Sequence, residues 1–291
     1  MSVKKPVVGV IGGSGMYELA GLTKVREERL KTPYGDPSDA FIVGDFDEVE
    51  LVFCSRHSRG HKYTPSTVPY LANVWAMKKL GVEWLIAVSA VGSLKAEHKP
   101  GHMLIVDQYI DKTFLRPNTF FETGCVGHVE FADPVCSVLS DWLHQSAGEL
   151  GLQVKKGGTY VCMEGPAFST RAESRLHRQW GADLIGMTGC PEAKLAREAG
   201  ISYACIALVT DYDCWHESEE DVSVEMVLRL MHQNAVNAKK VIRKTAGKIA
   251  ASGKGSPYKD IGRTAIITDR KQIPPLVKSK LSVIFGRHLD G

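Results

Sequence analysis

The segment Ile206-Ala-Leu-Val-Thr-Asp211-Tyr-Asp213-Cys-Trp215 constrains this chain more than any other. It is an apolar run that ends abruptly in two aspartates. Read as a buried strand, it brings Asp211 and Asp213 out at its C-terminal end, where open α/β sheets place their ligands. Continued extended geometry puts both carboxylates on one face, because strand side chains alternate with period two. Two carboxylates that close resist double ionisation, so one of them holds a proton near neutral pH.

That combination suits adenine. Its N7 accepts a hydrogen bond and its N6 amino group donates one. A protonated carboxyl donates to N7, and an ionised one accepts from N6. A 6-oxopurine presents two acceptors at the same edge and is better met by an amide. On spacing alone, a solvated Asp turn or a helix N-cap explains the pair equally well.

Other segments place polar groups at the ends of short apolar runs. Val7–Ile11 reads as a strand that leads into Gly12-Gly13-Ser14-Gly15, where backbone amides can approach an anion. No Lys-Ser/Thr follows, which excludes a P-loop, and the spacing fails the dinucleotide fingerprint. The run 50–55 ends at Arg56-His57, with Arg59 and His61 just beyond. Arginine gives a fixed fork of donors for phosphate and histidine a switchable one. Metal ligation by His57 and His61 competes, without an HExxH pattern behind it. A helix is expected to open at Thr67-Val-Pro69 and stop at Gly81. After it, a strand over 83–90 ends in Ser89, Ala90 and Gly92, small residues that leave room for a ligand or simply pack.

The stretch 112–132, which carries His128, reads as a long functional loop. Asp133-Pro134 is expected to open the next helix as N-cap and first residue. Thr170 and Glu173 form a capping box, with Phe168 just ahead of it, poised either to stack on a base or to plug the helix start. Strand 183–188 and helix 191–199 precede the central run. The last strong helix is expected over 223–244, with Val224, Val227, Leu228, Met231, Ala235, Ala238 and Ile242 on one face. Its first turn borders any pocket opened by the aspartates. Residues 251–276 are Gly/Ser/Pro/Lys-rich and read as mobile. Residues 281–285 read as a terminal strand or an apolar strap. The domain division is 1–250 for one domain and 251–291 for a tail packing back on it.

With 44% apolar residues in 291, the chain can bury a large core. A net charge of +3, from 36 basic and 33 acidic residues, is too balanced for a nucleic-acid footprint. The seven scattered cysteines fit a reducing compartment and offer no metal spacing. The apolar run at Val7–Ile11 is too short for secretion or spanning, so a cytoplasmic protein without a membrane role is expected.

Taken in order, VIGGSGMYELAGL, TPYGDPSD, SRHSRGHKYTPSTVPYLANVWAMKKLGV, AVGSL, EGPAFSTRAES, GADLIGMTGCPEAKLAREAGI and VTDYDCW resemble the trimeric purine nucleoside phosphorylase (nucleoside phosphorylase-I) family from about residue 7 to 245. The resemblance implies one α/β domain with a twisted mixed β-sheet flanked by helices. It implies reversible phosphorolysis of 5'-methylthioadenosine to adenine and 5-methylthioribose 1-phosphate, with phosphate as co-substrate and no metal or other cofactor. It places phosphate at Ser14, Arg56, His57, Ser89, Ala90 and Thr188, and ribose at Met187. Adenine falls to Phe168, Ser169, Asp211 and Asp213, with Asp211 as the acid at N7. The methylthio group falls to Val224, Val227 and Leu228. Members are homotrimers, and His128 and Ile284 match residues lent by a neighbouring subunit.

The chain departs from the family at Ser14, where many relatives have Thr, and at Gly189-Cys190, beyond Thr188. The alternatives are a 6-oxopurine nucleoside or methylthioinosine phosphorylase on the same fold, a nucleosidase, and a non-catalytic adenine-nucleoside binding protein.

Overall fold

The computed structural model describes residues 5–13, 21–216 and 224–290, without the side chains of 224–229, 231–233 and 287. In chain order come β1 (Val7–Gly12), β2 (Thr23–Glu28), β3 (Phe41–Phe46), β4 (Val49–Ser55), α1 (Tyr70–Lys79), β5 (Trp84–Ser93), β6 (Met103–Ile105) and β7 (Gln108–Asp111). Then follow α2 (Ser137–Glu149), β8 (Val154–Lys156), β9 (Thr159–Cys162), α3 (Arg171–Gln179), β10 (Leu184–Gly186), α4 (Gly189–Glu198) and β11 (Ser202–Asp211). The chain finishes with α5 (Val224–Ser252), α6 (Gly262–Ala265) and α7 (Pro275–Phe285). All eleven strands form one mixed sheet, in the order β2-β3-β4-β1-β5-β10-β9-β7, with β11 and β6 branching from β5 and β8 beyond them. This is the α/β mixed-sheet fold expected from the sequence.

β5 organises the sheet. β11 runs parallel along its length, from Ser202 opposite Trp84 to Asp211 opposite Gly92. The other edge is shared. β1 pairs in parallel with Trp84 to Ala87, and β10 pairs antiparallel with Gly92 and Ser93. Residues 88–91 therefore have no strand on that edge among the described residues, and the sheet forks there.

Apolar residues on both faces of these strands need cover on both sides. One side packs under α1, α4 and α7, with Ile11, Leu85, Leu195 and Leu281 in a single cluster. The other packs under α2 and α5, around Trp84, Ile86, Leu139, Ile206 and Ile242. Burying each such side chain contributes about 1.5–3 kcal/mol before entropy is counted. All seven cysteines are free thiols, and six are buried as small core residues. No helix among the described residues is long and apolar enough to cross a membrane.

Several boundaries differ from expectation. α1 starts at Tyr70, with Pro69 as its N-cap. α2 starts at Ser137 and not at Asp133-Pro134, because the Cys136 amide donates to Tyr203 O (2.7 Å) and holds the preceding residues out of the helix. The capping box of Thr170 and Glu173 forms as expected. α5 runs on to Ser252, past Lys244.

The tail differs most. Residues 281–285 lie in a helix, with Leu281, Ile284 and Phe285 buried and Phe285 stacked on Phe121 (4.9 Å). Ile284 thus packs inside its own chain and is not available to a neighbour. The segment expected to be mobile is pinned to the domain. Ser256 Oγ donates to Gly200 O (2.9 Å), and Ile266 bridges Gly127.

Candidate active site

A cavity of about 230 Å³ fills the fork in the sheet, lined by Val88, Ser89, Ala90 and Val91 of β5. Arg56 and His57 reach it from the end of β4, Met187 and Thr188 from the end of β10, and Asp211 and Asp213 from the end of β11. Residues drawn from distant parts of the sequence meet because β4, β1, β5 and β11 are parallel and expose their C-terminal ends together.

Arg56 dominates one end. Its buried guanidinium donates through Nε and Nη2 to the carboxylate of Glu192, the Nη2 contact at 3.0 Å. Nη1 donates to Val88 O (3.1 Å), one of the carbonyls at the fork. Burial works against the charge, but Glu192's charge and hydrogen bonds more than offset it and raise the pKa further. The group is permanently charged and held in one orientation.

His57 Nδ1 lies 2.9 Å from Tyr63 O. A carbonyl only accepts, so Nδ1 carries the hydrogen. Burial, and then the charge of Arg56, push this imidazole down to about 4, leaving it neutral at pH 7. His61 stacks on it at 4.4 Å, and Ser89 Oγ lies 3.0 Å from Thr188 Oγ1. A fixed guanidinium and two hydroxyls in one cavity are donors of the kind an oxyanion takes.

The opposite end is acidic. β11 has a register shift between Val209 and Asp211, and Asp213 has φ of 53°, in the left-handed region that Asp tolerates. The two carboxylates therefore converge through a turn and not through strand alternation, which corrects the expectation. Asp211 Oδ1 accepts from the Asp213 amide (2.8 Å), and its Oδ2 accepts from Thr210 Oγ1 (2.6 Å). Burial raises the pKa of both acids, and the charge of Asp213 adds least to the shift of Asp211. Desolvation, more than mutual repulsion, favours the proton here. Asp213 Oδ2 is buried without a hydrogen bond in good geometry, although the nearby Ser174 and Ser169 hydroxyls pull the pKa of this acid partly back down. An unmet buried acceptor costs about 1–3 kcal/mol, which an incoming donor would offset.

Gly92 proves to have a definite task. A Cβ there would lie 2.7 Å from Asp211 Oδ1 and 3.1 Å from Ile185, so its missing side chain makes room for the acid at the cavity wall. Trp215 Nε1 donates to Ser93 O (2.7 Å) and fastens the acidic turn to β5.

The remaining expected residues divide. Phe168, 45% exposed, lines the cavity on the turn before α3. Ser169 does not line it; its hydroxyl faces Met163 Sδ (3.8 Å) and its carbonyl accepts from Cys214 Sγ (3.2 Å). His128 is exposed and away from the cavity, its amide donating to Ala265 O (2.9 Å). Arg59 turns outward to Asp39 and Glu27, because those carboxylates offer it ion pairs at the surface. Ser14 lies outside the described residues, as do the side chains of Val224, Val227 and Leu228. Ala235 of α5 lines the cavity, and those three positions share its helical stripe at spacings of 11, 8 and 7.

Gly189 and Cys190 pack behind Thr188, the first against the Tyr109 ring and the second with its amide on Cys162 Sγ (3.3 Å). Sequence reasoning missed Glu192 and Thr210. An acid in the first turn of a helix is an ordinary partner for the helix dipole, so nothing marks Glu192 as the mate of a distant arginine.

Comparison with known proteins agrees with this arrangement. Residues 7–246 match the phosphorylase superfamily. The chain is 53% identical to the S-methyl-5'-thioadenosine phosphorylase of Geobacter sulfurreducens, over 97% of this chain and 99% of that one. Identity to the protein of that name from Thermosynechococcus vestitus is 48%, again over 97% and 99%. Among solved structures, a methylthioadenosine phosphorylase from an antarctic soil metagenomic library superimposes with a TM-score of 0.91 at 44% identity, covering 97% of this chain and 99% of that one. The Schistosoma mansoni methylthioadenosine phosphorylase in complex with adenine superimposes at 0.82 with 34% identity, covering 96% and 98%. With the match running through every strand that builds the cavity, the chain belongs to the phosphorylase superfamily.

Proposed function

We propose that this chain catalyses reversible phosphorolysis of 5'-methylthioadenosine, giving adenine and 5-methylthioribose 1-phosphate. The observation that carries the reading is the polarity of the cavity. Oxyanion donors Arg56, Ser89 and Thr188 stand at one end, and two buried, proton-favouring carboxyls stand at the other. In this reading the C1'–N9 bond breaks first and its electron pair goes to the purine. Asp211 supplies a proton to N7, and Asp213 Oδ2 accepts from the N6 amine. A phosphate oxygen then bonds C1' from the opposite face. A positioned acid of this kind is worth about 10²–10⁴-fold in rate.

The α5 stripe shared by Val224, Val227, Leu228 and Ala235 would receive the methylthio group. The hydroxyl of adenosine would be buried there without a partner, which disfavours it. Phosphate is the co-substrate, and no metal or organic cofactor enters the chemistry. Ser14 would join the phosphate donors, and Ser169 would support the adenine edge from behind Phe168. Exposed Phe114 and Leu115 support a homotrimer in which His128 reaches a neighbour's cavity. Seven free thiols support a cytoplasmic setting.

The test is release of adenine from methylthioadenosine with and without phosphate. Adenine only with phosphate is the expected result. Adenine in its absence would make the chain a nucleosidase, preferred turnover of inosine would make it a 6-oxopurine enzyme, and binding without turnover would make it a sensor.

A further inference from the structure

Arg116 has no role in the chemistry above, yet its guanidinium is fully buried and joins several walls of the site. Nε donates to Glu164 Oε1 (2.9 Å). Nη1 donates to Met187 O (2.6 Å), Cys190 O (2.7 Å) and Tyr70 Oη (3.2 Å). Nη2 donates to Glu164 O (2.7 Å) and Met163 O (3.3 Å). Glu164 is held in turn, its carboxylate accepting from Ser66 Oγ and from the amides of Phe114 (2.7 Å) and Leu115 (3.1 Å).

The segments joined in this way carry the sugar and phosphate walls and the start of the turn that ends at Phe168. Met187 and Thr188 follow β10, and Cys190 opens α4, whose Glu192 orients Arg56. Met163 and Glu164 follow β9 and lead to Phe168. The acidic turn at Asp211 and Asp213 is not among the partners of Arg116.

We propose that Arg116 is a positioning residue that fixes the Met187–Thr188 wall against the end of β9, and so sets the sugar and phosphate at bonding distance while touching neither. This rests on the phosphorylase reading above. Only a planar fork meets carbonyls from three segments and a carboxylate at once, and a lysine ammonium at the same place cannot. Displacing reacting groups by about 1 Å costs about 10²-fold in rate.

The experiment measures phosphorolysis of methylthioadenosine and, separately, binding of free adenine by calorimetry, in the wild-type chain and in Arg116→Lys. The expected result is a kcat lowered by about 10²-fold, with adenine affinity kept within about a factor of 3, the scatter of an effect below ~0.7 kcal/mol. Wild-type kcat in a folded Arg116→Lys protein overturns the proposal. So does a parallel loss of adenine affinity, which marks general loosening. Should that variant not accumulate as folded protein, Glu164→Gln breaks the same ion pair and is read by the same two measurements. A wild-type chain that binds adenine without phosphate-dependent turnover fails the functional reading, and the positioning role falls with it.

Discussion

The two ends of the cavity solve opposite electrostatic problems. At the Arg56 end, a buried charge is matched before any ligand arrives, because Glu192 and Val88 O already occupy much of the guanidinium. At the Asp211 end the partners are neutral: the Asp213 amide and Thr210 Oγ1 donate to Asp211, and burial still pushes both carboxyls toward their protonated forms. Under the proposed reading, one end is preorganised for an anion. The other stores a desolvation cost that a bound donor would relieve. The difference teaches that burial alone can raise an acid at this depth, with a second acid adding little.

The largest break in this contrast should come from Asp211→Asn. It keeps the shape and removes the transferable proton, and kcat should fall by about 10³-fold, within the usual range for a lost general acid. Stopped assays of adenine release measure it, and near-normal turnover would remove the acid role. Arg56→Lys acts on the other end. A lysine cannot hold Glu192 bidentately and still face the cavity, so the KM for phosphate should rise by about 10²-fold, the worth of a lost charge-assisted bond of ~2–3 kcal/mol. Adenine binding should stay unchanged, and an equal loss in both would mean that the ends are not independent.

Gly92→Ala sharpens the comparison. Its Cβ would press on Asp211 Oδ1, and overpacking of this kind costs about 1–3 kcal/mol. Adenine affinity, read by calorimetry, should weaken by about tenfold (~1.4 kcal/mol), while the KM for phosphate stays put.

Glu198 supplies the smallest effect and a control. After Asp211 and Asp213 it is another carboxyl that burial raises, here outside the cavity and from 4.5 to about 7, although Phe120 N and Thr119 Oγ1 donate to it. The folded state keeps its proton longer than the unfolded chain does, so stability falls as pH rises from 4.5 to 7. Glu198→Gln should flatten that part of the denaturant-midpoint profile, by on the order of 1–2 kcal/mol. An unchanged slope would argue that burial is not the general cause of raised carboxyls in this fold.

How much of this could be read from sequence depended on distance along the chain. Asp211 and Asp213 were legible because an apolar run points at them, and Arg56-His57 because they end another. Glu192 was not, since its meaning comes from an arginine 136 residues away. Gly92 was only half legible, because a small residue looks the same whether it admits a ligand or packs against a neighbouring carboxylate. Helix α7 was taken for a strand or strap because Leu281, Val283 and Phe285 alternate, while Leu281, Ile284 and Phe285 also fit a helical face. Periodicity cannot separate the two in so short a run. The Asp133-Pro134 cap failed for a tertiary reason, the bond from Cys136 to β11.

The shared edge of β5 has a consequence for slow motion. Because β1, β10 and β11 all bond to this one strand, the walls of the cavity cannot part without rupturing the middle of the sheet. Amide protons of β5 over 84–87, where strands flank both edges, should accordingly be among the last to exchange with deuterated water, at rates set by global unfolding. Ligand entry must then be governed by surface turns such as the one bearing Phe168, and breathing of the sheet beneath should play no part in it.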